Sequence, residues 1–120
     1  MSDDTIAAIA TPIGEGGLAV IRISGANALA VAGKIFIPVG KHSSKPAAAD
    51  SHTIQFGHIV RDGETVDEVL VAVMRAPRTF TREDVVEITC HGGLLPAKGV
   101  LVNASKTYRV VGMKEVYKTR

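Results

Sequence analysis

Apolar and polar residues alternate along two neighbouring stretches in the middle of the chain. These stretches are "HTIQFGHIV" (52–60) and "TVDEVLVAVMRAP" (65–77), and "RDGE" (61–64) lies between them. Alternation with a period of two is typical of half-buried β-strands. Because an Asp-Gly dipeptide favours the positive φ angles of a tight turn, the pattern predicts an antiparallel β-hairpin.

Further elements are predicted on both sides of this hairpin. Short apolar runs bounded by Gly, Pro or polar residues predict strands at 5–12, 17–25 and 85–91. The segment "ANALAVAGKIF" (26–36) is apolar at helical spacing, which predicts a helix of about three turns with Ser24 or Asn27 as its cap. Strands outnumber helices and alternate irregularly with them. This order favours an α+β fold with a mainly antiparallel sheet and two or three helices.

The remaining segments lack a clear period. "IPVGKHSSKPAAADS" (37–51) is predicted to be a surface loop, and Thr81 with Asp84 resembles a capping box that opens a short turn. "LLPAKGVLVNA" (94–104) is predicted to be helical, and "TYRVVGMKEVYK" (107–118) is predicted to form a strand followed by a polar tail.

The bulk composition indicates one globular domain. The chain has 120 residues, of which 46% are hydrophobic and 22% charged, enough to bury a single core without disulfides. The net charge of +2 is too small to indicate nucleic-acid binding by itself. The acidic start "MSDDT" is unlike a signal peptide, no apolar run is long enough to span a bilayer, and the single cysteine fits a reducing compartment. A cytoplasmic protein without membrane association is therefore expected.

Several kinds of functional site are disfavoured by the spacing of residues. The glycine loop "TPIGEGG" (11–17) has no lysine and leads into a strand, so it does not match a phosphate-binding loop. The four histidines and Cys90 lack the close spacing of zinc ligands, and no metal site is expected. Adjacent strand residues point to opposite faces, so Cys90 and His91 do not form a nucleophile–base pair. Cys90 is expected in the core, and no catalytic residue is assigned.

Two charges lie inside otherwise apolar strands. The strand period places Glu87 on the face opposite Val86, Ile88 and Cys90, and places Arg22 opposite Ile21 and Ile23. Two interpretations stay open. Arg22 and Glu87 could form a structural salt bridge between neighbouring strands, or they could line a pocket, since a guanidinium grips carboxylates and a carboxylate accepts N–H groups from an amino-pyrimidine edge.

Several motifs in order resemble a known family. "TIAAIATPIGEGGLAVIRISG" (5–25) is followed at the family's spacing by "GHIV" (57–60) and "DEVLVAVMRAPRTFTREDVVEITCHGG" (67–93). Together they resemble the N-terminal domain of the MnmE (TrmE) family of tRNA modification GTPases, over about residues 4 to 98. From Gly99 to Arg120 the sequence departs from the family pattern.

This resemblance implies a fold and a function. The family domain is similar to the tetrahydrofolate-binding domains of T-protein relatives, forms a homodimer and binds 5-formyl- or methylene-tetrahydrofolate. The family's folate-contacting arginine and glutamate fall on Arg22 and Glu87. In full-length members a helical domain and a GTPase domain that uses GTP, Mg²⁺ and K⁺ follow. With the FAD-containing partner MnmG (GidA), these proteins form 5-aminomethyl- or 5-carboxymethylaminomethyl-uridine at the tRNA wobble position.

Residues 1–120 are thus expected to be a single domain of this kind, without GTP hydrolysis of its own. A later basic segment that supplies a third folate contact in the family has no counterpart in this sequence. The alternatives are a dimerisation module that has lost folate binding, a free-standing one-carbon transferase with Glu87 and His91 as its only acid–base candidates, and a direct tRNA-binding domain.

Overall fold

The backbone forms one antiparallel sheet covered on one face by a short helix. The computed structural model describes residues 5–9, 18–79 and 82–91. Within them lie six strands in the sheet order β1-β2-β6-β5-β4-β3, one α-helix and one 3₁₀ helix. The element bounds are β1 Ile6–Ile9, β2 Leu18–Ser24, α1 Ala28–Ile35, β3 Phe36–Pro38, η1 Pro46–Ala48, β4 Thr53–Arg61, β5 Glu64–Met74 and β6 Val85–His91. The predicted α+β class with an antiparallel sheet is confirmed.

The β4–β5 hairpin is the one predicted from the alternating pattern. Arg61 pairs with Glu64 across a two-residue turn, in which Asp62 has φ 52° and Gly63 φ 81°. Positive φ at both central residues gives the turn the right-handed twist of the flanking strands, and Asp-Gly adopts these angles readily. The register shifts once, at a bulge between Ile59 and Val60.

One face of the sheet carries the core. The large side chains that are almost fully buried include Ile21, Ile23, Ile59, Val71 and Ile88. They alternate along their strands with exposed or half-buried residues, as the period of two requires. Burial of Val86, Ile88 and Cys90 confirms the face assigned to them in β6. Arg22 and Glu87 consequently lie on the opposite, outer face.

Helix α1 closes this core and is shorter than predicted. It runs for eight residues, and its buried side chains include Leu29, Val31 and Ile35. Asn27 occupies the N-cap position but makes no side-chain capping bond. Its backbone N–H instead donates to Thr5 Oγ1 at 3.0 Å, so the residue preceding β1 satisfies the start of the helix.

The segment predicted as a loop over 37–51 contains two short elements. Strand β3 pairs with β4, with Phe36 opposite Ile59 and Pro38 opposite Gly57. The 3₁₀ helix η1 begins at Pro46. A three-residue strand is too short to show a period, and Pro38 argues against a strand except at a sheet edge, where β3 lies. These two facts explain why the sequence pattern missed it.

Other predictions fall on residues outside the described ranges. These are the glycine loop, Thr81 of the capping-box pair, the helix over 94–104 and the strand over 107–118. Asp84, the described half of the capping pair, has a different contact, because its Oδ1 accepts a hydrogen bond from the Ala76 backbone N–H at 2.8 Å.

Candidate functional site

Arg22 and Glu87 meet on the outer face of the sheet. They are directly opposed in the antiparallel β2–β6 ladder. Arg22 Nη2 lies 2.6 Å from Glu87 Oε2, and Arg22 Nε donates to the same oxygen at 2.8 Å. Directly opposed side chains on one sheet face are neighbours, so the two charges singled out in the sequence form an ion pair.

This ion pair is accessible to solvent. The side chain of Arg22 is 50% exposed and that of Glu87 is 30% exposed. Exposed pairs contribute only about 0 to 1 kcal/mol to stability, since water and salt screen them. The need to neutralise buried charge therefore does not account for these two residues, and a role toward a ligand is left open.

A pocket of about 330 Å³ opens beside the pair. β2 and β6 contribute one wall, the end of β5 another, and the segments preceding β4 and following β5 complete the rim. The lining residues are Arg22, His52, Met74, Arg78, Thr79, Val85 and Glu87. The volume is at the small end of the range of about 300 to 1,000 Å³ that is common for small-molecule sites.

One rim segment is fixed by Arg75. Its guanidinium donates to the backbone carbonyls of Ala49 at 2.9 Å and Ala47 at 2.9 Å, and its backbone N–H donates to Ser51 Oγ at 2.9 Å. A planar guanidinium suits several carbonyls at once. The turn that carries His52 is thereby held against the end of β5, and the His52 N–H donates to Val73 O at 2.6 Å.

The other rim segment, the turn that follows β5, is fixed by contacts within the turn and by one contact to the end of β2. Thr79 Oγ1 donates to Glu83 O at 2.7 Å, and Gly25 N–H donates to Asp84 O at 3.0 Å. The Ala76 N–H also donates to Asp84 Oδ1. Residues before and after Arg78 are therefore both held by hydrogen bonds in the turn that follows β5. Hydrogen bonds therefore hold the backbone of both loop segments that line the pocket.

The chemistry of the pocket suits binding. Met74 and Val85 supply apolar walls, Glu87 supplies an acceptor, and Arg22 and Arg78 supply two cations. This combination fits a flat, partly apolar molecule with N–H groups at one edge and an anionic group elsewhere.

The remaining candidate residues of β6 lie apart from this pocket. His91 is four residues beyond Glu87 along the strand, about 13 Å at about 3.3 Å per residue. Its Nδ1 lies 2.6 Å from Asp67 Oδ1, and its backbone N–H donates to Asp67 Oδ2 at 2.8 Å. Glu87 and His91 therefore do not meet as an acid–base pair, which argues against the transferase alternative.

Cys90 lies in the core, as predicted. Its side chain is buried and its Sγ donates to Ala19 O at 3.5 Å. Burial, together with the negative charge of Asp67, raises the pKa of the Cys90 thiol to about 11. A thiol with this pKa is a poor nucleophile at neutral pH. No cluster of three or more metal-ligating side chains is found among the described residues.

Of the pocket residues, Arg22 and Glu87 were predicted as site residues from the sequence, and the rest of the lining was not. His52, Arg78 and Thr79 lie in turns, where no hydrophobic period assigns a face. A partial signal existed, because Met74 lies near the end of the predicted strand over 65–77 and Arg78 directly follows that strand. Using that signal requires knowing that β5 pairs with β6, and this strand order is not contained in the pattern.

Comparison with known proteins assigns the chain to a class. The sequence model of the family described as "GTP-binding protein TrmE N-terminus" matches residues 5–114. The chain belongs to this family. The protein is 56% identical over 101 residues to the "tRNA modification GTPase MnmE" of Listeria innocua, 55% identical over 101 residues to that of Bacillus licheniformis and 54% identical over 97 residues to that of Chloroflexus aurantiacus.

The matched region is the N-terminal part of much longer proteins. These alignments cover 84%, 82% and 80% of this chain, but only 21%, 21% and 20% of the respective relatives. The chain thus spans about a fifth of the length of the curated relatives it matches. The resemblance stated for about residues 4 to 98 is confirmed at the level of the family. No helix in the described part of the chain is long and apolar enough to cross a membrane.

Proposed function

We propose that this chain is the folate-binding and dimer-forming N-terminal domain of a tRNA modification GTPase. The observation that carries the proposal is the position of Arg22 and Glu87. In a chain of this family, the two charges are partly exposed and line a pocket of small-molecule size. A solvent-exposed ion pair adds little to stability, so its placement at a pocket favours a role in binding.

The residues present fit a reduced folate. Glu87 Oε2 receives both contacts from Arg22, and Oε1 takes part in neither, so the carboxylate is oriented to accept N–H groups from the amino-pyrimidine edge of a pterin. Met74 and Val85 offer apolar contact to the bicyclic ring. When bound, 5-formyl- or methylene-tetrahydrofolate would supply a one-carbon unit. The residues of this domain would hold and orient it.

The proposed role of the whole protein follows from its relatives. We infer that the domain acts as a homodimer in the cytoplasm, within a longer chain that binds GTP with Mg²⁺ and K⁺. Together with MnmG, such a protein would form 5-aminomethyl- or 5-carboxymethylaminomethyl-uridine at the wobble position of tRNA. The support is the name tRNA modification GTPase MnmE shared by the relatives.

A second candidate function is a dimerisation module that does not bind folate. The observation in its favour is the apolar character of the outer sheet face, where several large side chains are exposed. They are Leu18, Ile37, Ile54, Phe56 and Leu70. Clustered exposed apolar residues are typical of surfaces that pack on another polypeptide, and a second copy of the chain is the occupant proposed for this candidate.

Two measurements separate these candidates. Titration calorimetry with 5-formyl-tetrahydrofolate is expected to show binding, and sedimentation equilibrium is expected to show a dimer. A dimer without any heat at millimolar folate would support the second candidate and overturn the first. Folate binding that is unchanged in both Arg22→Ala and Glu87→Ala would overturn the assignment of the site to this pocket.

A further inference from the structure

The candidate pocket contains a cation whose charge is not compensated. Of its two arginines, Arg22 is paired with the pocket's carboxylate, Glu87. Arg78 is exposed and forms no ion pair within the described residues. The surplus positive charge of the pocket therefore belongs to Arg78, at the rim. A guanidinium in this state is available to bind an anionic group of a ligand.

His52 adds a second polar group to the pocket lining. Ser51 Oγ accepts a hydrogen bond from the Arg75 backbone N–H and lies 2.8 Å from His52 Nδ1. A serine hydroxyl donates as well as accepts, so this contact is compatible with the neutral tautomer of His52 that carries its proton on Nε2. In this tautomer the ring offers a hydrogen-bond donor to a ligand.

Both groups are presented by anchored backbone. Arg78 lies between Ala76, whose N–H donates to Asp84 Oδ1, and Thr79, whose hydroxyl donates to Glu83 O. His52 lies in the turn that Arg75 ties to β5. Ordering of these two turns is largely complete before a ligand arrives, which lowers the entropic cost of binding.

We propose that Arg78, assisted by His52, binds the carboxylates of the glutamyl tail of the folate and selects for ligands that carry this tail. The inference rests on the proposed folate-binding function and assigns the two ends of the ligand to different residues. Glu87, oriented by Arg22, holds the pterin. Arg78, another residue of the pocket lining, recognises the anionic end.

The test compares two ligands on the full 120-residue chain. One is 5-formyl-tetrahydrofolate, and the other is 6-methyl-tetrahydropterin, which has the pterin ring and no glutamyl tail. Binding is measured by calorimetry and by shifts of amide resonances. The variants are Arg78→Gln, Arg78→Lys and the control Arg61→Gln. The control removes the same charge at the end of β4 that is remote from His52, about 30 Å from His52 along the strand at about 3.3 Å per residue.

Arg78→Gln is expected to weaken binding of 5-formyl-tetrahydrofolate about tenfold or more, in line with the loss of a charge-assisted hydrogen bond. It should leave binding of the tail-less pterin unchanged. Arg78→Lys should recover part of the loss, and Arg61→Gln should bind like the unaltered chain. The residual folate affinity of Arg78→Gln should also depend less on salt.

Three results would overturn the inference. Equal folate affinity in Arg78→Gln and the unaltered chain would show that Arg78 does not bind the tail. An equal loss for both ligands would show a general effect on the pocket. Absence of binding of either ligand to the unaltered chain would overturn the proposed folate function itself, and the inference with it.

Discussion

Arg22 stands directly opposite Glu87 in the β2–β6 ladder, and both contacts of its guanidinium end on the same carboxylate oxygen, Oε2. This geometry fixes the plane of the carboxylate while sparing Oε1 from either contact. On an exposed sheet face it stabilises the fold little. An arginine that orients a carboxylate beside a pocket acts as a positioning residue for whatever the carboxylate binds.

The first prediction separates the structural contribution of this pair from its binding contribution. Arg22→Ala and Glu87→Ala, with the double variant, should show a coupling energy for unfolding of no more than about 1 kcal/mol, because both side chains are partly exposed. Each single variant should weaken 5-formyl-tetrahydrofolate binding at least about tenfold. Urea unfolding and titration calorimetry measure the two quantities.

The charge-swapped double variant, Arg22→Glu with Glu87→Arg, is a matched control for this prediction. It keeps an opposite-charge pair between the same two strands and moves the carboxylate to β2. Its stability should be close to that of the unaltered chain, whereas folate binding should be lost. If the swapped variant binds folate with unaltered affinity, the pair serves only the sheet.

The second prediction concerns Arg75, which connects the rim of the pocket to β5. Arg75→Ala removes the donors to the carbonyls of Ala47 and Ala49, and should cost about 1 to 3 kcal/mol of unfolding free energy. Amide hydrogen exchange over residues 46–52 should speed up more than exchange in β6. Because His52 lies in this segment, folate binding should weaken as well.

Arg61→Ala is the comparison for this variant, since within the described residues the Arg61 side chain forms one ion pair, a long contact of 4.0 Å to the exposed Asp62. It should change stability by less than about 0.5 kcal/mol. Protection of residues 46–52 that is identical in Arg75→Ala and Arg61→Ala would contradict the anchoring role.

The third prediction tests how the edge strand β3 packs on β4. A Cβ atom at Gly57 would overlap the backbone oxygen of Ile37 and lie 2.6 and 2.7 Å from two ring atoms of Phe36. Gly57→Ala should therefore displace β3 and cost about 3 kcal/mol or more, as overpacking of a tight site does. Thermal and urea unfolding would measure the loss.

Gly33→Ala is the matched substitution in helix α1. A Cβ at Gly33 meets nothing within 4 Å, and alanine is the better helix former by about 1 kcal/mol. This variant should raise the unfolding free energy. Equal effects of the two Gly→Ala changes would contradict the close approach of β3 to Gly57.

Some features of these sites could be predicted from the sequence, and others could not. The period of two placed Arg22 and Glu87 on the faces opposite the core residues of their strands, because side-chain alternation is a local property. Their pairing could only be offered as one alternative, since the two residues are 65 positions apart and strand order depends on packing of the whole sheet. His52 and Arg78 were not found, because turns carry no period and their positions depend on distant anchors such as Arg75 and Asp84.

The last prediction uses the buried thiol of Cys90. Its pKa is raised from 9.0 to about 11, mainly by burial and further by the charge of Asp67. The folded state thus holds the thiol proton more tightly than the unfolded state does. Its stabilising contribution is fully present below pH 9.0 and is lost as the pH rises toward about 11, a change of about 2 to 3 kcal/mol for a shift of this size.

Cys90→Ala isolates this contribution from the titration of lysines and tyrosines, which both proteins share. The difference in unfolding free energy between the unaltered chain and Cys90→Ala should be constant at neutral pH and should decrease between pH 9 and 11. In the same pH range a thiol reagent should label the unfolded protein quickly and the folded protein slowly, because only the thiolate reacts. Parallel stability curves for the two proteins up to pH 11 would show that the thiol ionises as freely in the folded state as in the unfolded one, which burial of Cys90 beside Asp67 does not allow.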